Sequence, residues 1–341
     1  MSLKNLSVKI KIPKLLENKL KNKKINRIYK KFEKSLDINQ NFIVAVSGGP
    51  DSLALAFLAK IYSIKHKVIT KFFIVDHKLR TGSTNEAKVV RGILKKYSIN
   101  AKILTWKGKK PSKNIQSLAR KKRYELLLVQ CKKLKINNIL LGHHQDDLFE
   151  NFFIRMLRGS GLKGLISLDK KSKINGKNLL RPLIDQKKED LVYLSKHVFN
   201  FFVKDPSNED EKYQRIKIRK LIKDLQKNGL SKEKFLSTIQ NLKYSNQVVN
   251  FYVSQNLQKN TFLKNNSKMI LNERFFQNPH EIVFRSLSES IKLVGKKYYS
   301  VRGKKLSKII NNIENNRLNK VTLGGCIIEK VNQTVIISKE H

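Results

Sequence analysis

An apolar run, FIVAV at 42–46, ends in S-G-G-P-D-S at 47–52, and a second apolar segment, LALAFLAKIY, starts at 53. A strand, a glycine break and a helix in that order make a nest for phosphate. Gly48 and Gly49 let the backbone approach a ligand closely, and the first amides of the following helix carry the positive end of its dipole. Ser47 and Ser52 add hydroxyl donors. Asp51 would repel phosphate unless Mg2+ lay between them, so an acid inside this loop implies a metal-bound nucleotide. G-x-x-x-x-G-K-S/T occurs nowhere in the sequence, and this loop does not have the G-x-G-x-x-G spacing. The competing reading is an ordinary strand-to-helix turn with Ser52 as its N-cap.

A second group lies in GHHQDDLFEN at 142–151, where His143, Asp147 and Glu150 are the candidates. Asp147 and Glu150 are three apart and so share a helix face. Asp51 and Asp147 would end two strands of one sheet, close enough to share Mg2+ and neutralise a triphosphate. Acids complementing a helix N-terminus are the alternative, which covers Asp146 well and the histidine pair poorly. Arg120, Arg123 and Tyr124 lie at i, i+3 and i+4, where an arginine can grip phosphate bidentately or stabilise a leaving pyrophosphate; a solvated basic face competes. Asp76 and His77 end an apolar strand, either as ligands or as an Asx turn with a satisfied histidine. Arg158 stands in RGSGLKGL (158–165), a loop able to close over substrate or a plain linker. Arg215 and Arg219, with Lys212, Lys217 and Lys220, make a basic helix able to hold RNA phosphates, or a solvated face.

These residues must be positioned by strands alternating with helices. Strands are expected at 42–46, 67–77, 101–106 and 137–144, and helices from 53, over 85–97, 117–134 and 146–158. That alternation predicts a parallel α/β sheet covered on both faces, with ligands at the carboxyl ends of its strands. Residues 1–40 read as a basic leader of helical material, with Leu15, Leu16, Leu20 and Ile25 at loosely helical spacing, 41–215 as the nucleotide-binding catalytic domain, and 216–341 as a mainly helical basic region ending in a small β unit at 320–339.

Composition narrows the class. Lys and Arg number 72 against 26 Asp and Glu, a net charge of +46, which points to a polyanionic partner, nucleic acid before membrane. Abundant Lys, Asn and Ile also suggest an AT-rich genome's habit. No run of 18 apolar residues exists, and Cys131 and Cys326 form neither a disulfide framework nor a CxxC pair, so a reducing cytoplasm is the expected compartment.

SGGPDS after an apolar strand resembles the PP-loop of the ATP-pyrophosphatase superfamily, whose members cut ATP to AMP and pyrophosphate through an adenylated intermediate. VDHKLR (75–80) with Glu86, ARKKRY (119–124), GHHQDDLFEN, RGSGLKGL, RPL (181–183) and DPSN with YQRIKIR (205–219) follow in order. Together they resemble the tRNA(Ile)-lysidine synthase family over about residues 42–220. The resemblance implies a ligase using ATP and Mg2+ to adenylate C2 of the wobble cytidine of a CAU-anticodon isoleucine tRNA. The ε-amine of free L-lysine then displaces AMP. It places adenine and ribose near Asp76 and His77, ATP on residues 47–52, Mg2+ on Asp51 and Asp147, and catalysis on Asp51, Arg120, His143 and Asp147. The same resemblance assigns tRNA contacts to Arg123, Arg158, Arg215 and Arg219. His143 or Asp147 would take the proton of the attacking amine. A homodimer is a possible assembly, and no membrane is involved. A thiocytidine-forming sulfurtransferase, which needs paired cysteines, and a non-catalytic RNA-binding protein, which needs no acids in a glycine loop, are the alternatives.

Overall fold

The computed structural model describes residues 12–79, 81–108, 115–203, 214–265, 267–296, 301 and 303–340. The chain divides into two units, Met1–Gly229 and Leu230–His341. In the first, β1 (Phe42–Val46), β2 (Thr70–Asp76), β3 (Ala101–Thr105), β4 (Asn138–Leu140), β5 (Lys171–Ile174) and β6 (Lys177–Leu180) form one sheet in the order β3-β2-β1-β4-β6-β5. All neighbours are parallel except β5 on β6. The helices are α1 (Lys14–Leu20), α2 (Lys23–Leu36), α3 (Pro50–Lys65), α4 (Ser83–Lys96), α5 (Ile115–Leu134), α6 (Gln145–Met156), α7 (Leu162–Leu165), α8 (Lys188–Phe199) and α9 (Gln214–Lys227).

β1 is central because it is apolar on both faces. Val44 and Val46 join one core layer, which α3 fills with Leu53 to Ala59, and Ile43 joins the other with Phe73, Leu127 and Ile139. Chain order reverses beside β1, and a crevice opens at its carboxyl end at such a point. Residues 14–36, part of the expected basic leader, form α1 and α2 and are packed into the core rather than solvated. Leu16, Ile25, Ile28, Tyr29, Phe32 and Leu36 join the same core layer as α3. Their spacing gives one apolar stripe, and Asn22 caps α2 by accepting from the N–H groups of Lys24 and Ile25. The lysines that suggested a leader sit outside that stripe. α9 belongs to this unit too, so the observed division falls at 229/230 rather than 215/216. The β5–β6 hairpin was not expected. Its signal is Asn175-Gly176, with φ of 45° and 74°, hidden in a polar stretch.

The second unit opens with the long helix α10 (Lys232–Asn260), followed by β7 (Thr261–Asn265), β8 (Lys268–Leu271), α11 (His280–Val294), α12 (Gly303–Glu314), β9 (Lys320–Leu323), β10 (Cys326–Val331) and β11 (Thr334–Lys339). Its five strands run antiparallel in the order β7-β8-β11-β10-β9. Phe275, Leu287, Ile291, Leu306, Ile310 and Ile328 lie in its core. The expected mainly helical region with a β-rich end is present, and β7 and β8 enlarge the terminal sheet. Among the described residues no helix is long and apolar enough to cross a membrane.

Candidate active site

The loop Ser47–Gly49 leaves β1 at the carboxyl edge of the sheet, and α3 begins at Pro50 without a side-chain cap. Its first-turn amides are therefore not claimed by a capping side chain. Gly48 adopts φ +86°, and its carbonyl accepts the Val203 N–H at 3.0 Å. Ser52 is buried and turned inward: its Oγ accepts from the Ser47 N–H and Oγ at 3.1 Å each and donates to the Gly49 carbonyl at 2.9 Å. Ser52 thus fixes the shape of the loop, while Ser47 is exposed at its rim. The alternative of Ser52 as N-cap is not what is seen.

β4 delivers the second group. Gly142 lies against the loop, where an added Cβ would stand 3.2 Å from the Asp51 carbonyl oxygen and 3.3 Å from the Ser52 nitrogen. That close approach lets α6 start beside α3. His144 is the N-cap of α6. Its Nδ1 accepts the Asp146 N–H at 3.2 Å, while the Asp147 carboxylate accepts the His144 N–H at 2.9 Å, a reciprocal capping box. With Nδ1 an acceptor, the ring N–H is on Nε2. That nitrogen lies 3.7 Å from Asp51 Oδ2 and 3.7 Å from Asp147 Oδ2. The two acids singled out in sequence, almost a hundred residues apart, thus meet across one imidazole. His144 was not singled out, although its signal was present in the histidine pair.

Electrostatics keep both candidates in defined states. Burial pushes Asp147 up, but His144, His143 and the His144 N–H outweigh it, so its carboxyl sits below the ordinary range and is ionised. Burial drives His143 down, helped by Arg181, Arg120 and Arg215 and opposed by Asp147, so its imidazole is neutral. Its Nδ1 is buried without a hydrogen-bond partner and is open to act as an acceptor. Two groups missed in sequence complete the surroundings. Arg181, from the RPL segment, is 4% exposed and held by the Asp169 carbonyl at 2.8 Å and Ser172 Oγ at 3.0 Å. Lys188, the first residue of α8, contacts Asp51 through both carboxylate oxygens.

Asp76 forms the Asx turn: its carboxylate accepts from the Lys78 N–H, Ser83 Oγ and Thr84 Oγ1 and pins the β2–α4 loop. His77 is the member of that pair with both ring nitrogens buried and unpartnered. Burial, with Arg123 nearby, brings its pKa down to about 4. Arg120 is exposed and stacks over the Tyr124 ring at 5.3 Å. Arg158 is exposed and donates to Gln214 Oε1 at 3.1 Å. Lys212 and the DPSN segment lie outside the described residues.

Arg215 and Arg219 turn toward Glu150 rather than standing free on a solvated face. Arg219 Nε meets Glu150 Oε1 at 2.6 Å, and Arg215 Nε lies 4.0 Å from Oε2. Glu150 is 3% exposed; burial raises its pKa, and Arg219 pulls it back. Arg219→Ala, leaving a buried carboxylate without its partner, is expected to cost about 2 kcal/mol in urea unfolding, and Arg215→Ala under about 1 kcal/mol. The stability associated with a carboxyl whose folded pKa is raised is full at low pH and falls as pH rises. The Arg219→Ala deficit is therefore greatest at neutral pH and narrows toward about pH 4; a constant deficit would place the loss elsewhere.

No group of three or more His, Cys, Asp or Glu among the described residues is arranged to hold a metal. Mg2+, however, is usually held by one or two carboxylates plus substrate phosphates. Asp51 and Asp147 supply two hard oxygen donors, each 3.7 Å from one imidazole nitrogen, and a lysine ammonium already sits on one of them, so the residues present fit Mg2+ delivered with a nucleotide.

A family model described as a PP-loop domain matches residues 18–225. The tRNA(Ile)-lysidine synthase of Wolbachia pipientis wMel is 34% identical over 307 residues, spanning 89% of this chain and 71% of that protein. The enzyme of the same name from Orientia tsutsugamushi (strain Boryong) is 35% identical over 312 residues, spanning 89% and 70%. Among solved structures, the U34-tRNA thiolase NcsA from Methanococcus maripaludis, with its 4Fe-4S cluster, superposes with a TM-score of 0.54 at 19% identity, over 65% of this chain and 78% of that one. At that identity the likeness speaks for the fold alone.

Proposed function

Because the chain belongs to the tRNA(Ile)-lysidine synthase family of PP-loop enzymes, we propose that it ligates free L-lysine to C2 of the wobble cytidine of a CAU-anticodon tRNA(Ile), using ATP. The product is lysidine, which pairs with A and moves codon reading from AUG to AUA. The observation that carries the reading is the meeting of Asp51, from the glycine loop, and Asp147, beside His143, at a single His144 N–H.

The residues divide the work as follows. The Gly48–Gly49 turn and the first amides of α3 hold phosphate, and Ser52 keeps the turn in shape. Asp51 and Asp147 would hold Mg2+, which supplies charge neutralisation for the triphosphate when bound. Adenylation of the C2 oxygen releases pyrophosphate, and Arg120, whose charge reaches His143, would stabilise that leaving anion. The lysine ε-amine must lose a proton to attack C2. His143 accepts it through Nδ1, since neighbouring cations and burial keep the ring neutral beforehand and anionic substrates then raise its affinity for a proton. His77, with two unpartnered buried nitrogens, sits where a base or ribose hydroxyl can pair with it.

Arg123 and Arg158 are the anticodon-side cations, with Arg215 and Arg219 bracing α9 against α6 beside them. Elongator methionine tRNA carries the same CAU, so discrimination needs a second contact, which this reading gives to residues 230–341. It also carries a cytoplasmic location, where tRNA is found, and leaves a homodimer open.

Incubation of the protein with ATP, labelled lysine and tRNA(Ile) should add lysine less water to the tRNA, with one pyrophosphate released per tRNA modified. Mass analysis showing sulfur incorporation, or none of either, would overturn it. The sulfur-transfer alternative has little to stand on: burial pushes the Cys131 thiol up to about 11, and Cys326 belongs to the other unit.

A further inference from the structure

The ammonium of Lys188 lies 2.7 Å from Asp51 Oδ1 and 2.5 Å from Oδ2, in a pair whose side chains are 33% and 23% exposed. The backbone beneath it is fixed. Leu191, Leu194 and Val198 of α8 are buried in the core with α3, and Ser195 Oγ donates to the Pro50 carbonyl at 2.5 Å. The mobile part is the four-carbon stem of Lys188, which starts at the N-terminus of α8 at the mouth of the phosphate nest.

That placement conflicts with the duty of Asp51. A carboxylate meant for a phosphate-bound cation has both oxygens engaged by a lysine. Without Lys188, Asp51 and Asp147 would face each other across only the His144 N–H, each 3.7 Å from it. A compact ammonium on a flexible stem suits a contact that must break, whereas the planar fork of arginine would lock bidentately onto the carboxylate. A triphosphate presents more negative oxygen than one carboxylate does, so its arrival gives the ammonium a better partner within reach of the same stem.

We propose that Lys188 is an exchangeable counter-cation. It neutralises Asp51 while the nest holds no nucleotide. When magnesium nucleotide binds, its ammonium moves to a phosphate oxygen and releases Asp51 to the metal. Asp51 thus keeps one positive partner in each state, and the divalent cation is admitted together with the nucleotide rather than before it. This deepens the reading of the loop as an ATP site and rests on it.

The test uses the full-length protein without tRNA. Mn2+ binding without nucleotide is read from the paramagnetic resonance of the free ion, and ATP binding in Mg2+ by calorimetry. Lys188→Met should bind Mn2+ about three- to tenfold more tightly, having lost the competing cation, and ATP about tenfold more weakly, having lost a phosphate contact. Lys188→Arg, whose fork stays on the carboxylate, should gain no Mn2+ affinity and bind ATP more weakly than the unaltered protein. Opposite signs of the two effects in one variant are the signature, and a change in folding alone does not produce them. If the Met variant does not fold, Lys188→Gln is read in the same way. Weaker ATP binding with unchanged Mn2+ affinity would make Lys188 a fixed phosphate ligand and overturn the exchange; no change in either would make it a static ion pair and overturn it too. Failure of the unaltered protein to bind ATP would instead defeat the proposed function.

Discussion

Asp51→Asn and Asp147→Asn are each expected to lower lysine- and tRNA-dependent pyrophosphate release by about 1000-fold or more while leaving the protein folded. Both changes keep shape and a hydrogen-bonding oxygen and remove only charge. At Asp147 the amide oxygen can still accept the His144 N–H, so the start of α6 loses little, of the order of a few tenths of a kcal/mol. What is lost is an anionic pair focused on one point, which neither amide can supply to a cation carrying a triphosphate. Because the two acids act as a unit, the double variant should be scarcely worse than either single one. Steady-state assays beside thermal melts check this. Retention of more than about a tenth of the activity in either variant would remove the pair from the reaction.

The second large effect is conformational. Gly48→Ala is expected to destabilise the first unit by about 2–4 kcal/mol and to weaken ATP binding by about tenfold or more. The backbone there has φ +86°, and a Cβ would stand 2.7 Å from Val90 Cγ2 and 3.0 Å from Val203 Cγ2. Neither valine can retreat freely. Val90 is buried in the main core, and the Val203 N–H bonds the Gly48 carbonyl. The loop must therefore shift, taking the phosphate nest with it. Gly82→Ala is the control: its φ is +88° but nothing lies within 4 Å of the added carbon, so only the backbone cost, about 1 kcal/mol, should appear. Equal losses at the two positions in urea unfolding would show that packing around Gly48 contributes nothing.

The parallel sheet was legible because its strands are apolar on both faces and their flanking glycines and acids mark the carboxyl edge; FIVAV and NNILL needed no tertiary information. β5 and β6 were not, since Lys171, Lys173 and Lys177 give an edge hairpin no apolar signature, and only Asn175-Gly176 betrays it. α1 and α2 were helical by pattern, but their burial depends on partners, Tyr62 of α3 among them, that local sequence does not reveal. In the site, Asp51, Asp147 and His143 stood out as unusual residues in a basic chain. Lys188 and Arg181 did not, because a lysine or arginine among 72 basic residues carries no signal until its carboxylate or carbonyl partner is known. The pairing of Arg219 with Glu150 is hidden for the same reason: helical spacing gives a face but not what the face meets.

The bond from the Val203 N–H to the Gly48 carbonyl has a consequence for biosynthesis. β1 emerges early from the ribosome, yet its neighbour β4 and the residue that closes its glycine turn are made much later. At about 5–20 residues per second, the roughly 155 residues between Gly48 and Val203 take about 8–30 s to appear. For that interval the turn lacks its clasp, and for the earlier part of it, until β4 is made, the central strand lacks one of its two partners. The amphipathic α1 and α2, made before α3, are already available as apolar cover for it during that time.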